Sequence, residues 1–266
     1  MAYKMIAIDI DDTLLNDELA IPPETRQALA KAKARGVEVT LATGRMFASA
    51  KQIAARLELN VPIITYQGAL VKTVPDEETL YFRPVPEAIA REVFAWVQKH
   101  GLHLQVYCDD VLYTREHNEK VTAYARQSNI PFVVEPDFAR LLKLPITKML
   151  MIDEPATLDR LKPDLERLLG ASAHVTKSKP NYLEVMHPEG TKGSALSFLA
   201  RHFGCAMEQV IAIGDSWNDR DMIEAAGLGV AMANAVPQLK QIADYVTLSN
   251  NEQGVKHVIE TFILAE

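Results

Sequence analysis

An α/β fold, a parallel core sheet interrupted by one large inserted α+β unit, is the architecture this sequence predicts. Three observations predict it. Residues 4–65 alternate apolar, strand-like runs with helical stretches, the rhythm of a parallel sheet with crossover helices. Between residues 84 and 189 the rhythm changes to several short strands joined by tight turns, the pattern of a mixed, antiparallel unit. After Gly190 the first rhythm returns. The chain therefore reads as a discontinuous core, residues 1–83 and 190–266, carrying an insertion at 84–189 of ordinary domain size.

Taken in order, residues 4–10 form a buried strand. Pro22-Pro23-Glu24-Thr25 opens a helix, because proline suits the first helical position; Ala28, Leu29 and Ala32 follow at helical spacing and Gly36 supplies the stop. Val37–Ala42 is strand-like and runs straight into Thr43-Gly44-Arg45. A helix to about Leu59 leads to a third strand of the same sheet, Val61–Thr65, ending in Gln67-Gly68. Residues 69–83 read as a hairpin. The insertion then gives a helix at 86–99, strands at 102–108 and 111–114, a helix at 116–128 and a strand at 131–134. It closes with a strand at 146–152, a helix at 155–169 and a strand pair at 172–177 and 181–187. The core resumes with a helix at 191–203, the strand Val210–Ile213, an acidic turn, a helix to about Ala226 and a strand at 228–232.

The composition bounds what such a fold serves. With 48% hydrophobic and 24% charged residues over 266 positions, the chain has the make-up of a globular protein with a full core. A net charge of −7 argues against nucleic acid or an anionic membrane as the main partner. No apolar run reaches the length of a membrane span, and Asp9 interrupts the N-terminal run before a signal-peptide core can form. Cys108 and Cys205 lie far apart without a CxxC pairing, so both are expected as reduced core thiols in a cytoplasmic protein. Nothing in the sequence specifies an oligomeric state.

Four stretches carry chemistry. Asp9-x-Asp11-x-Thr13 places paired carboxylates where a buried strand ends, and ligands of open α/β sheets bind beyond the carboxyl ends of strands. Such a pair can hold a hard cation through oxygen or divide into nucleophile and proton donor, although a cap or solvated turn uses the same residues. Gly214-Asp215-Ser216-Trp217-Asn218-Asp219-x-Asp221 gathers acids at a second strand end. There Asp215 suits a metal and Asn218 a phosphate, whereas Asp221 reads as a complement to the helix N-terminus. Thr43-Gly44-Arg45 offers a hydroxyl and backbone N–H groups at a helix start, an oxyanion cradle or an ordinary turn. Lys192 stands in the first turn of a helix, where the dipole disfavours a cation; it is either a surface lysine or a fixed ammonium facing anions.

Together and in order, these stretches resemble the haloacid dehalogenase superfamily, and within it the Cof-type phosphatases of sugar phosphates and related metabolites. The DxDxT, TGR, lone lysine and GDxxND elements all match; Asp12 departs, standing where many relatives carry glycine. The resemblance implies a Rossmann-like core with a large inserted cap, and a Mg²⁺-dependent phosphatase. Asp9 would attack phosphorus to give an aspartyl-phosphate, and Asp11 would carry the proton to the leaving alcohol and from the water. Mg²⁺ would be held by the Asp9 and Asp215 side chains and the Asp11 backbone carbonyl, with Asp219 behind them. The Asp12 backbone N–H, Thr43, Gly44, Lys192 and Asn218 would hold the phosphoryl oxygens. Tyr182, Glu184 and His187, just before the return to the core, are candidates for contacting a small phosphorylated metabolite, although packing explains them equally. A phosphomutase sharing the same nucleophile and a non-catalytic phosphometabolite-binding regulator are the alternatives.

Overall fold

The structure, a computed structural model, describes residues 2–59 and 61–265. It opens as the alternation predicts, with β1 (Met5–Ile8), α1 (Pro23–Ala34), β2 (Glu38–Leu41) and α2 (Phe47–Arg56). Pro23 presets φ for the first turn of α1, and Gly36, at φ +80°, turns the chain away behind it.

The next three strands, β3 (Ile63–Thr65), β4 (Leu70–Lys72) and β5 (Thr79–Phe82), form an antiparallel sheet of their own. This corrects the expectation that residues 61–65 extend the parallel sheet: β3 meets it through one parallel bridge, Ala42 to Ile64. The tight turn at Tyr66-Gln67-Gly68, all at positive φ, folds β4 directly back along β3, and so close a partner prevails over a parallel one.

The insertion comprises α3 (Glu87–His100), β6 (His103–Cys108), β7 (Val111–Thr114), α4 (Glu119–Ser128), β8 (Phe132–Val134), α5 (Phe138–Leu141), β9 (Ile146–Ile152), α6 (Pro155–Leu169), β10 (His174–Thr176) and β11 (Tyr182–Met186). Its strands pair in the order β10-β11-β9-β6-β7-β8, antiparallel except for β7 and β8, which α4 links as a parallel crossover. Side-chain alternation divides the sheet's two faces. Met149, Met151, Leu183 and Val185 share a hydrophobic cluster with Val93 and Val97 of α3 and Leu158, Leu161 and Leu165 of α6. Lys148, Tyr182 and Glu184 alternate with them and line a cavity together with residues of the core. The single-turn α5 is too short to leave a periodic signal.

The chain returns as α7 (Lys192–His202), β12 (Val210–Gly214), α8 (Arg220–Ala225), β13 (Leu228–Ala231), α9 (Pro237–Ile242), β14 (Tyr245–Val246) and α10 (Gly254–Phe262). All five strands of the core sheet are parallel, in the order β14-β13-β12-β1-β2. From β1 the chain first builds toward β2, and after the insertion it builds the other way from β12. The strand order thus reverses between β1 and β12, and a crevice opens at their carboxyl ends. The register pairs Ile8 with Ile213, and the Asp9 N–H donates to the Ile213 carbonyl at 3.0 Å, so both acidic motifs begin at one level. Cys108 and Cys205 are buried and unpaired, and among the described residues no helix is long and apolar enough to cross a membrane.

Two positions carry predictions. At Gly68 (φ +102°) a Cβ would lie 2.1 Å from the Thr191 carbonyl oxygen, where the outgoing chain crosses the start of α7. Gly68→Ala is expected to lower unfolding free energy by about 2 kcal/mol or more in urea melts, from backbone strain and the clash together. His103 lies with its ring nitrogens 3.0 and 3.2 Å from the side-chain amides of Asn118 and Gln105; burial, then the Lys120 charge, lower its pKa to about 4. Its folded value is below the unfolded one, so the unfolded chain binds the proton first and stability falls as pH drops from about 6.5 to about 4. Urea melts across that window are expected to show His103→Gln losing less stability than the parent, by at most roughly 3 kcal/mol.

Candidate active site

The site is built where β1 and β12 end. Asp9 leaves β1 in extended conformation, and the chain bends through Ile10–Leu14 with Asp12 in the left-handed region at φ +60°. An aspartate tolerates that conformation better than most side chains. The bend directs the Thr13 hydroxyl to donate to Asp215 Oδ1 at 2.8 Å, tying the two motifs across 202 residues. Asp12 is exposed, and its carbonyl accepts from Asn234 Nδ2 at 2.7 Å.

Lys192 occupies the centre. It is fully buried, and its ammonium lies 2.5 Å from both Asp9 Oδ1 and Asp219 Oδ1. The other Asp219 oxygen accepts the backbone N–H groups of Asp215 (2.9 Å) and Ser216 (3.0 Å). Asp219 is thus committed on both sides and buttresses Asp215 and Lys192. Gly214 has no side chain because the Asp219 carboxyl fills that space: a Cβ there would lie 2.5 Å from Asp219 Cγ.

Charge at this spot is unbalanced. Asp9, Asp215 and Asp219 can bring ligand oxygens within 4.8 Å of one another, against one ammonium. Burial foremost raises the Asp9 pKa to about 8; Lys192 opposes the rise, and Asp219 and Asp11 add to it. Asp215 is pushed to about 9 by burial and then by Asp9 and Asp219, with the Thr13 hydrogen bond opposing. Burial works against the Lys192 ammonium, but Asp219 and Asp9 outweigh it and hold the lysine charged. The buried Asp9 and Asp219 and the half-buried Asp215, facing one ammonium, leave two negative charges when all are ionised. The donor set is all oxygen, so the residues fit a hard divalent cation between Asp9 and Asp215.

Arg45 clasps the Asp11 side chain with both ends of the guanidinium fork, at 2.7 and 2.8 Å. Burial would raise this carboxyl's pKa, but the Arg45 hydrogen bonds and charge prevail and lower it. Sequence reasoning passed over Arg45 as a site residue, although it sits in the TGR motif. Thr43 is buried, with Oγ1 accepting the Arg45 N–H at 3.1 Å. Gly44 is packed beneath the Gln67 amide, which leaves no room for a Cβ. Asn218 donates to Gln67 Oε1 at 2.9 Å, and its own buried oxygen has no partner.

One cavity of about 70 Å³ unites these groups. The core contributes Asp9, Asp11, Asp12, Thr43, Gly44, Arg45, Asp215 and Asn218; the insertion contributes Tyr124, Lys148, Lys179, Tyr182 and Glu184. Lys192 and Asp219 stand behind Asp9 without lining it. Of the three candidates from the insertion, Tyr182 and Glu184 are on the wall and His187 is not. One residue past β11, it falls on the opposite alternation, and its Nδ1 accepts the Glu189 N–H at 3.0 Å. Gln67 and Lys148 were missed as well. Single polar residues in apolar runs give no local signal, and only the fold brings them together.

Known proteins of similar sequence and fold share one family. A family model described as haloacid dehalogenase-like hydrolase matches residues 6–259. A provisionally named phosphatase of Streptococcus pyogenes is 37% identical, covering 99% of this chain and all of that protein. The 5-amino-6-(5-phospho-D-ribitylamino)uracil phosphatase of Bacillus subtilis is 31% identical over 98% of this chain and 96% of its own length. The solved structure of a sugar phosphatase of subclass IIB in this superfamily superposes with a TM-score of 0.87 at 25% identity, covering 98% of this chain and all of that one. The family resemblance read from the four motifs is borne out along the whole chain: it belongs to the haloacid dehalogenase-like hydrolases.

Proposed function

We propose that this phosphatase hydrolyses phosphomonoesters of small metabolites, sugar phosphates foremost, with Mg²⁺ and through an aspartyl-phosphate on Asp9. The observation that carries the proposal is the meeting of Asp9, Lys192, Asp215 and Asp219 at one strand end. The resemblance to a sugar phosphatase supports the substrate class.

Lys192 fixes Asp9 by one oxygen and so aims the carboxylate into the cavity. Asp9 attacks phosphorus; the bond to the leaving oxygen breaks, and that oxygen takes a proton from Asp11. Water then attacks the same phosphorus, gives its proton to Asp11, and Asp9 is released. The clasped, ionised Asp11 suits the second step. For the first it must have gained a proton, so the Arg45 clasp has to loosen, and an incoming phosphoryl dianion competes for the same guanidinium. Thr43, Gly44, the Asp12 N–H and the second N–H of Asn218 hold phosphoryl oxygens as charge moves onto them. Asp9, Asp215 and the Asp11 carbonyl would hold Mg²⁺, whose charge would offset the crowded carboxylates and the phosphate. The insertion, residues 84–189, acts as a cap. A cavity of about 70 Å³ has room for a handful of waters, each requiring ~10–15 Å³, so the site suits a small ligand.

A phosphate-release screen across sugar phosphates, nucleotides and phosphorylated cofactors tests the proposal. Turnover is expected with Mg²⁺ and is lost with a chelator. Flat inactivity of folded, metal-loaded protein would overturn it, and an isomer formed without free phosphate would mark a mutase. Asp9→Asn is expected to lower kcat on the order of 10⁴-fold or more while the protein stays folded by circular dichroism.

A further inference from the structure

Through the cavity wall runs a chain of buried polar contacts in which the hydrolysis scheme leaves Lys148, Glu184 and Gln67 unused. Lys148 on β9 and Glu184 on β11 form an ion pair at 2.9 Å, each only 2% exposed. The Lys148 ammonium also donates to the Gly44 carbonyl at 2.7 Å, joining the insertion to the Thr43-Gly44-Arg45 turn. The second Glu184 oxygen accepts from Gln67 Nε2, and Gln67 Oε1 accepts from Asn218 at 2.9 Å. The Gln67 amide lies against Gly44 as well: a Cβ there would come within 2.3 Å of its nitrogen. One ion pair of the insertion therefore reaches both Gly44 and Asn218, directly on one side and through Gln67 on the other.

Burying two charges is costly, and apolar residues of the same volume would hold the cap sheet together as well or better. The pair's other contacts explain its presence. The peptide between Gly44 and Arg45 is clamped at both ends, its carbonyl by Lys148 and its N–H by Thr43 Oγ1 at 3.1 Å. Tyr107 restrains the ammonium further, with its ring centroid 4.9 Å away. Gln67 holds one N–H of Asn218 and leaves the other free.

We propose that Lys148 and Glu184 are positioning residues through which the insertion completes the phosphate cradle, so that the cradle has its working geometry only when the cap is docked. This rests on the phosphatase reading above. It assigns the pair to the phosphoryl group that all substrates share, and not to the leaving group that distinguishes them.

The double variant Lys148→Met/Glu184→Gln keeps side-chain volume and removes both charges together. It is expected to melt within a few degrees of the parent. Its kcat on p-nitrophenyl phosphate and on a hexose 6-phosphate should fall by the same factor, about 100-fold for a cradle displaced by roughly 1 Å. Orthophosphate binding in the presence of Mg²⁺, followed by calorimetry, should weaken in the same variant. A loss confined to the hexose phosphate would make the pair a leaving-group reader and overturn the proposal. So would unchanged kinetics, or unchanged orthophosphate affinity. If the double variant does not fold, Gln67→Met, which cuts the path to Asn218 and leaves the ion pair, is measured in the same way. If the parent turns over no phosphomonoester, the phosphatase reading fails, while orthophosphate affinity still decides whether the pair shapes an anion site.

Discussion

The contact on which the structure turns is the Lys192 ammonium held 2.5 Å from both Asp9 and Asp219. It joins residues 183 positions apart and does so without solvent, so every element that places those groups is constrained together. The parallel pairing of β1 with β12 sets the two acidic motifs at one level, and α7 must begin where its first residue can reach both. Charge balance follows from the same contact. Asp11 is neutralised by Arg45, whereas Asp9, Asp215 and Asp219 outnumber Lys192 by two charges. A buried excess of that size is tolerable only if protons are taken up, as the raised pKa values of Asp9 and Asp215 express, or if a divalent cation is bound.

The insertion meets this centre through polar contacts set beside an apolar seam, in which Tyr107, Tyr124 and Tyr182 join the hydrophobic cluster of the core. Asp110, at the tip of the β6–β7 hairpin, accepts the backbone N–H groups of Phe47 and Ala48 at 3.0 and 2.9 Å and the Tyr66 hydroxyl at 2.7 Å. An acidic side chain of the insertion thus caps the first turn of α2, next to the Thr43-Gly44-Arg45 turn. The hairpin achieves this reach with Asp109 and Asp110 both at positive φ, as a two-residue primed turn requires. Hydrogen bonds of this kind exchange readily with water.

Much of this was legible in the sequence because the signals are local. Apolar runs ending in Asp9 and Asp215 mark strands whose carboxyl ends face a crevice, and a lysine opening α7 stood out against the helix dipole. What escaped depends on chain separation. Strand β3 looks like its parallel predecessors until the turn at Tyr66-Gln67-Gly68 gives it a nearer partner. His187 sits one residue beyond the alternation that turns Tyr182 and Glu184 to the cavity, a difference that register alone decides. Lys148 lies within the otherwise apolar stretch of β9, and nothing nearby in sequence announces the Glu184 carboxylate or the Gly44 carbonyl it meets.

These late-found residues share a property that separates them from ordinary core polar groups. Arg45, Lys148 and Gln67 each spend their donors on a group that belongs to the cavity: Asp11, the Gly44 carbonyl and Glu184. A polar residue kept only for stability would satisfy itself within its own layer, as Thr40 does by donating to the Pro62 carbonyl at 2.8 Å. Lys148 and Gln67 cross between the insertion and the core, Arg45 joins Asp11 within the core, and all three contacts end on residues that line the cavity. The cavity's anionic floor is thus faced by two cations that line the same space, Lys148, tied to Glu184 and the Gly44 carbonyl, and Lys179, 6.0 Å from the Tyr182 ring centroid. A phosphoryl dianion entering such a space would find its oxygens opposed by fixed positive groups instead of mobile water, the condition under which electrostatic stabilisation needs least reorganisation.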